Sequence, residues 1–102
     1  MKIIKCLAEK IAEEIADADA YIELANKWKE EEPETAELFA DLSEEEMGHA
    51  NRLHEKAEEL IKEYRDENGE PPAGMLALYE YMHQKQIESA MRVKVKQGLY
   101  KE

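Results

Sequence analysis

The sequence is poor in the residues that cross-link, bend or interrupt a chain. It has one cysteine, Cys6, so no internal disulfide can form, and a cytosolic setting is expected. Cys6 lies in an apolar stretch and reads as a small core residue rather than a nucleophile. Only 4 glycines and 3 prolines occur in 102 residues. Alanine, glutamate, lysine and leucine are abundant instead, and these lose little side-chain freedom in a helix, so long helices are favoured over sheet. Long apolar runs are missing too. The opening MKIIKCLAEKIAEEI is interrupted by charge every few residues and reads as neither a signal peptide nor a membrane span. A chain of this length suits one domain, here residues 1–102, with a small core that association would enlarge.

Positive charge is also in short supply. There are 14 basic residues against 25 acidic ones, a net charge of −11. A field of that sign repels nucleic acid and anionic membranes and attracts divalent cations. Solubility alone explains the acidity equally well.

Two breaks divide the chain. Pro33, after Glu30-Glu31-Glu32, suits the first turn of a helix, where its missing N–H is not needed. In Asn68-Gly69-Glu70-Pro71-Pro72, Gly69 reads as a helix stop and the prolines as the next entry. The segments between predict helices over about 2–30, 33–68 and 72–98. In the first, Leu7, Ile11, Glu14, Ala18, Tyr21, Ala25 and Trp28 recur at alternating spacings of four and three. In the second, Ala36, Phe39, Ser43, Glu46, Ala50, Leu53, Ala57, Leu60 and Tyr64 do the same. These are heptad-like seams of nearly antiparallel helices. Trp28 and Phe39 flank the loop and are expected in the core. The third segment spreads its apolar residues over a broader face. The fold expected is all-α, an antiparallel hairpin plus a C-terminal helix. A hairpin and one helix leave much of the two seams uncovered, so a second copy is expected to cover it.

Three polar residues interrupt the seams: Glu14 in the first, Ser43 and Glu46 in the second. A carboxylate in a packed seam is costly unless it is paired or binds a metal. Glu14 lies about seventeen residues before the loop centre and Glu46 about fifteen after it, which at helical rise puts them at nearly the same height. His49 follows Glu46 at i+3, on the same helix face. This is the Glu-x-x-His unit of di-iron carboxylate bundles, which take a lone Glu from each of two helices and Glu-x-x-His from each of the other two. One hairpin supplies half that set and two hairpins supply all of it. Such oxygen-and-nitrogen ligation suits iron or manganese better than calcium or structural zinc. The competing reading is a salt-bridged polar layer in an ordinary bundle. A second Glu-x-x-His, Glu80 with His83, stands in the third segment without as good a partner, though Glu88 is a candidate. It reads first as an interface or solvated pair. His54 reads as surface.

The motifs EIADADAYIELA, with Glu14 and Tyr21, and EEEMGHA, with Glu46, His49 and Ala50, resemble those of the ferritin-like superfamily, in particular rubrerythrin-type and encapsulated-ferritin-type proteins. The resemblance covers roughly residues 10–60. It implies a ferritin-like four-helix bundle completed by dimerisation, with two irons held between subunits by Glu14, Glu46 and His49 and with Tyr21 nearby. It implies ferroxidase activity, oxidation of Fe(II) by dioxygen or peroxide, in iron storage or detoxification. It also implies a homodimer or a larger even-numbered ring, and an encapsulating protein shell as a further partner, although KVKQGLYKE at the C-terminus is not a convincing docking tail. The location implied is then the cytoplasm or a protein nanocompartment within it. Glu13 and Asp17 read as a solvated face. Two alternatives stand beside this: a non-enzymatic helical module that oligomerises through its seams, and a manganese or zinc bundle without redox chemistry.

Overall fold

In the computed structural model, which describes residues 2–102, three helices follow one another. They are α1 (Lys2–Trp28), α2 (Pro33–Asn68) and α3 (Ala73–Lys101). The fold is all-α, and among the described residues no strand is present. No described helix is long and apolar enough to cross a membrane.

The loop between α1 and α2 is short because Pro33 starts α2 at once, and Glu32 bridges both ends. Its N–H donates to the Trp28 carbonyl at 2.8 Å and its carbonyl accepts from the Ala36 N–H at 2.8 Å. A connection this short forces the antiparallel hairpin. At the far end of α2, Gly69 adopts φ +78°, a left-handed conformation that side chains disfavour, and its N–H closes on the Arg65 carbonyl at 2.9 Å. Pro71 and Pro72 then direct the chain into α3, which runs parallel to α1. The expected stop near Gly98 is not used; α3 continues to Lys101.

The hairpin seam is lined by small residues. On α2 the buried positions at heptad spacing are Ala36, Ser43, Ala50 and Ala57; Ser43 meets Ala18, Ala50 packs with Ile11, Ile15 and Ala18, and Ala57 with Ile4. Short side chains let the two helices approach closely. The bulk of the core comes from Ile4, Ile11, Ile15, Ile22, Ile61 and Val93. Full burial of such side chains stabilises by about 1.5–3 kcal/mol each.

The buried stripe is rotated from the expected one. Ile4, Ala8, Ile11, Ile15, Ala18, Ile22 and Ala25 are buried on α1, whereas Leu7, Glu14, Tyr21 and Trp28 are only half-buried. On α2, Phe39, Glu46, Leu53 and Leu60 are likewise half-buried. Trp28 and Phe39 therefore flank the core rather than fill it. Cys6 is exposed, a correction with a simple cause. Successive helical residues turn by about 100°, which puts Cys6 opposite the Ile4–Ile11 stripe.

Helix α3 lies against one side of the hairpin, mostly on α1. Ser43 joins all three helices. Its hydroxyl donates to the Ala18 carbonyl at 2.7 Å and accepts from Gln97 Nε2 at 3.0 Å, and the residue is fully buried. Lys96 reaches Asp19 and Glu23, both at 2.7 Å. Gln86 donates to the Ala8 carbonyl at 3.0 Å. Nearer the α3 N-terminus, the His83 ring stacks on His54 with centroids 4.7 Å apart, and the Tyr79 hydroxyl donates to the Glu58 carboxylate. His54 is thus a half-buried interface residue rather than a surface one.

Two outcomes follow from these contacts. Ser43→Ala strands the Gln97 amide and should cost about 1–2 kcal/mol, lowering the melting temperature by roughly 4–10 °C. An unchanged melt would show that Ser43 does not tie the helices together. The second concerns alkali. Burial, and then the bond to Glu58, push the Tyr79 phenol well above its usual value of 10.0. A raised folded-state value gives stability that is complete below pH about 10 and falls as pH rises further. Thermal melts between pH 9 and 11 should therefore fall more steeply for the parent chain than for Tyr79→Phe; equal slopes would remove Tyr79 from the account.

Candidate metal centre

The half-buried rows of α1 and α2 flank the seam on the side away from α3. The α1 residues that meet α3, such as Ala8, Asp19 and Asn26, lie on the other flank. Glu14 belongs to the first half-buried row and Glu46 to the second, and the antiparallel register brings them level. His49 follows one turn after Glu46. The helices thus project two carboxylates and one imidazole into one shallow site on the open side of the hairpin.

Ligand atoms from Glu14, Glu46 and His49 all lie within 4.8 Å of one another. His49 Nδ1 is 3.6 Å from Glu14 Oε2 and 3.8 Å from Glu46 Oε2. Both separations are too long for hydrogen bonds. They match donors that share a cation, since two ligand atoms each about 2 Å from a common ion sit up to about 4 Å apart. Glu14 Oε2 bears on the choice between a metal site and a polar layer. It is buried and has no hydrogen-bond partner. A buried acceptor without a hydrogen bond costs about 1–3 kcal/mol; His49 Nδ1 at 3.6 Å is within ion-pair reach of it but not within hydrogen-bond reach. The donor set fits a transition metal, with two oxygens and one nitrogen leaving coordination positions open. The site is also accessible, because the His49 side chain is 53% exposed.

The structure places the other candidates elsewhere. Tyr21 is on the Glu14 row two turns along, half-buried, with its ring stacked on Phe39 at 6.3 Å between centroids. No hydrogen bond among the described residues joins Tyr21 to Glu14, Glu46 or His49. Glu80 is exposed on α3, and His83 is turned into the stack with His54 and Tyr79. Neither reaches the Glu14 group. Glu88 is exposed and sits 3.9 Å from Lys85. Glu13 pairs with Lys10 at 3.0 Å on the surface, and Asp17 is exposed as well. The spacing of Glu58, Tyr79 and His83 gave no signal of their meeting, because α2 and α3 are far apart in sequence there.

The rubrerythrin family model matches residues 5–74, which takes in α1 from Lys5 onward, the loop, all of α2 and the first residues of α3. The chain belongs to the rubrerythrin family. Rubrerythrins are ferritin-like di-iron proteins, so iron is the metal that membership assigns to the chain. Almost all of α3 lies beyond the family match. No curated protein and no solved structure gives a significant match.

The unpaired oxygen of Glu14 gives a test whose sign depends on metal. In chelator, Glu14→Leu should raise the melting temperature by roughly 4 °C or more, because about 1 kcal/mol of carboxylate desolvation is replaced by packing. In saturating Mn(II), which does not oxidise during the scan, the parent should become the more stable chain. Ligand at a hundred times its dissociation constant adds about 2.7 kcal/mol. A parent chain that ignores the metal would mean that Glu14 holds no cation.

Proposed function

We propose that the protein oxidises Fe(II) at a di-iron site shared by two copies of the chain, in the service of iron storage or detoxification. The observation that carries this reading is the buried, unpartnered Glu14 oxygen beside His49 on the open face of the hairpin. A single hairpin offers two carboxylates and one imidazole there. A second copy related by a two-fold axis doubles these to four carboxylates and two imidazoles, the full complement of a di-iron carboxylate bundle. The half-buried rows bearing Leu7, Tyr21, Leu53 and Leu60 would become core in the same step.

In this reading Fe(II) is the substrate. Two ions, held about 3.5–4 Å apart by shared carboxylates, give up one electron each. Dioxygen takes both electrons and two protons and leaves as hydrogen peroxide; peroxide as oxidant takes two electrons and two protons and leaves as water. Glu14 and Glu46 supply the negative charge that favours the ferric product. His49 supplies a neutral nitrogen donor at the open side. The net charge of −11 favours approach of the cation. A surrounding protein shell remains a candidate partner, and a manganese or zinc complement would make the bundle non-redox.

Anaerobic titration should give about one Fe(II) per chain, two per dimer. Admission of air should then produce ferric absorbance. Both signals should vanish in Glu46→Ala and His49→Ala. Iron oxidation at the parent rate in either variant rules this site out, and elemental analysis showing only zinc or manganese in protein purified without added metal favours the non-redox alternative.

A further inference from the structure

Helix α3 is held to the hairpin in two unlike ways. Its C-terminal half is tied by polar bonds and by one buried side chain. Lys96 reaches Asp19 and Glu23 at 2.7 Å, Gln97 reaches Ser43 at 3.0 Å, and Val93 is buried. Its N-terminal half meets α2 through rings. The His83 imidazole stacks on the His54 imidazole of α2, with centroids 4.7 Å apart and planes within 11° of each other. The Tyr79 ring lies parallel to His83 at 5.9 Å, and its hydroxyl donates to Glu58 of α2. Both histidines are half-buried. His83 belongs to the second Glu-x-x-His of the sequence, which the iron site does not use.

This geometry suits protons better than a metal ion. The lone pair of a ring nitrogen lies in the plane of its ring, so two parallel imidazoles do not aim at a common cation. Neutral rings stack favourably at this separation, and one imidazolium over a neutral ring is still attracted to it. Two imidazolium ions repel. Opposing charge around them is scarce. From α2, Glu58 Oε1 is 3.8 Å from His54 Nε2, within ion-pair reach, but the same oxygen accepts the Tyr79 O–H. Arg52 and Glu55, close to His54 in the chain, are exposed. From α3, Tyr79 and Gln86 carry no charge in acid, and Lys85 is paired with Glu88 at 3.9 Å. Glu80, one turn before His83, is exposed and makes no ion pair with it. From α1, the groove beside the stack presents Ile11 and Ile15. One carboxylate stands against two potential cations.

We propose that the His54–His83 stack is a proton-operated latch: when both imidazoles are charged, the N-terminal turns of α3, residues 73–83, leave α2. Opening lets each charge meet a carboxylate of its own helix. His54 keeps Glu58 at i+4, and His83, turned out of the stack, gains Glu80 at i−3. Each proton comes from solvent to a ring nitrogen, and no other covalent bond changes. The open form separates two charges that the closed form stacks, so falling pH favours opening. Ordinary imidazoles titrate near pH 6.5, so the latch is shut at about pH 7.5 and loosened at about pH 5.5. The C-terminal half of α3 stays in place, because its ties use no imidazole. The inference does not rest on the iron reading, since Glu14, Glu46 and His49 lie on the other flank of the hairpin.

The test is amide hydrogen exchange on the full chain in chelator, at pH 7.5 and 5.5, corrected for the intrinsic pH dependence of exchange. A few helical turns without tertiary contacts are marginal in water, so undocked turns fray and exchange. Two like charges about 5 Å apart should raise opening of residues 77–84 by roughly tenfold or more at pH 5.5, with residues 93–98 unchanged. His83→Phe and His54→Phe each keep a stacked ring and leave at most one charge, so each should abolish the rise. Glu80→Gln should reduce it by about twofold. Equal protection of residues 77–84 at the two pH values overturns the latch, as does a rise of the same size in both halves of α3. A rise that persists in either phenylalanine variant assigns it to a single group and overturns the paired mechanism. An unchanged rise in Glu80→Gln overturns the exchange of partners.

Discussion

Everything in this structure depends on how closely, and in what register, α1 and α2 approach. On the α2 side the seam is built from alanines and one serine, so α2 approaches the isoleucines and alanines of α1, and side chains on the flanking rows reach across. Alanines alone would tolerate a slip of one turn, because an alanine side chain has no directional bond to lose. Ser43 does not. Its hydroxyl is fully buried and finds its acceptor in the Ala18 carbonyl. In a slipped register it would lose that acceptor, and an unmade buried hydrogen bond costs about 1–3 kcal/mol. The same register sets Glu14 level with Glu46 and His49. A polar residue that looks like a flaw in the seam is therefore what fixes the axial position of the three candidate ligands.

Once the hairpin is fixed, its two flanks meet different fates. Polar side chains on one flank and Val93 in the core secure α3, with Gln86, Lys96 and Gln97 each bonding to α1 or α2. The other flank keeps its two apolar rows half-open, with carboxylates among them. A chain of 102 residues has a small core, and uncovered apolar rows are a real fraction of what it could bury. Glu14 shows the tension most clearly. Its oxygen is shielded by neighbours of its own hairpin yet has nothing to bond. The structure tolerates an unpaired acceptor where a cation would satisfy it, and half-burial keeps that tolerable in the absence of the cation.

Much of this was legible in the sequence. Pro33 and Gly69 marked helix ends, because each has a backbone preference that only a terminus accepts. Glu14, Glu46 and His49 were legible because they break an apolar pattern at matching heights. The rotation of the seam was not. Two neighbouring rows on α1, one through Ile4, Ile15 and Ile22 and the other through Leu7, Tyr21 and Trp28, are both apolar with heptad spacing, and periodicity alone does not say which is central. Only the position of α3 decides it, since α3 covers one flank and leaves the other. Cys6 was misread for the same reason. The stack of His54 with His83 depends on where α3 lands, which no local spacing encodes.

The apolar residues of α3 point both ways around the helix, and this makes sense of its weak periodicity. A helix that packs on one side only shows a single stripe. Here one side, with Met82, Val93 and Tyr100, faces the hairpin, and the other carries Met91 and Val95. Solubility would favour polar residues on that outer side, and the chain has glutamates in abundance elsewhere. The hairpin and α3 thus answer to separate demands. The hairpin holds Glu14, Glu46 and His49 at one level on one face, while α3 closes the other flank.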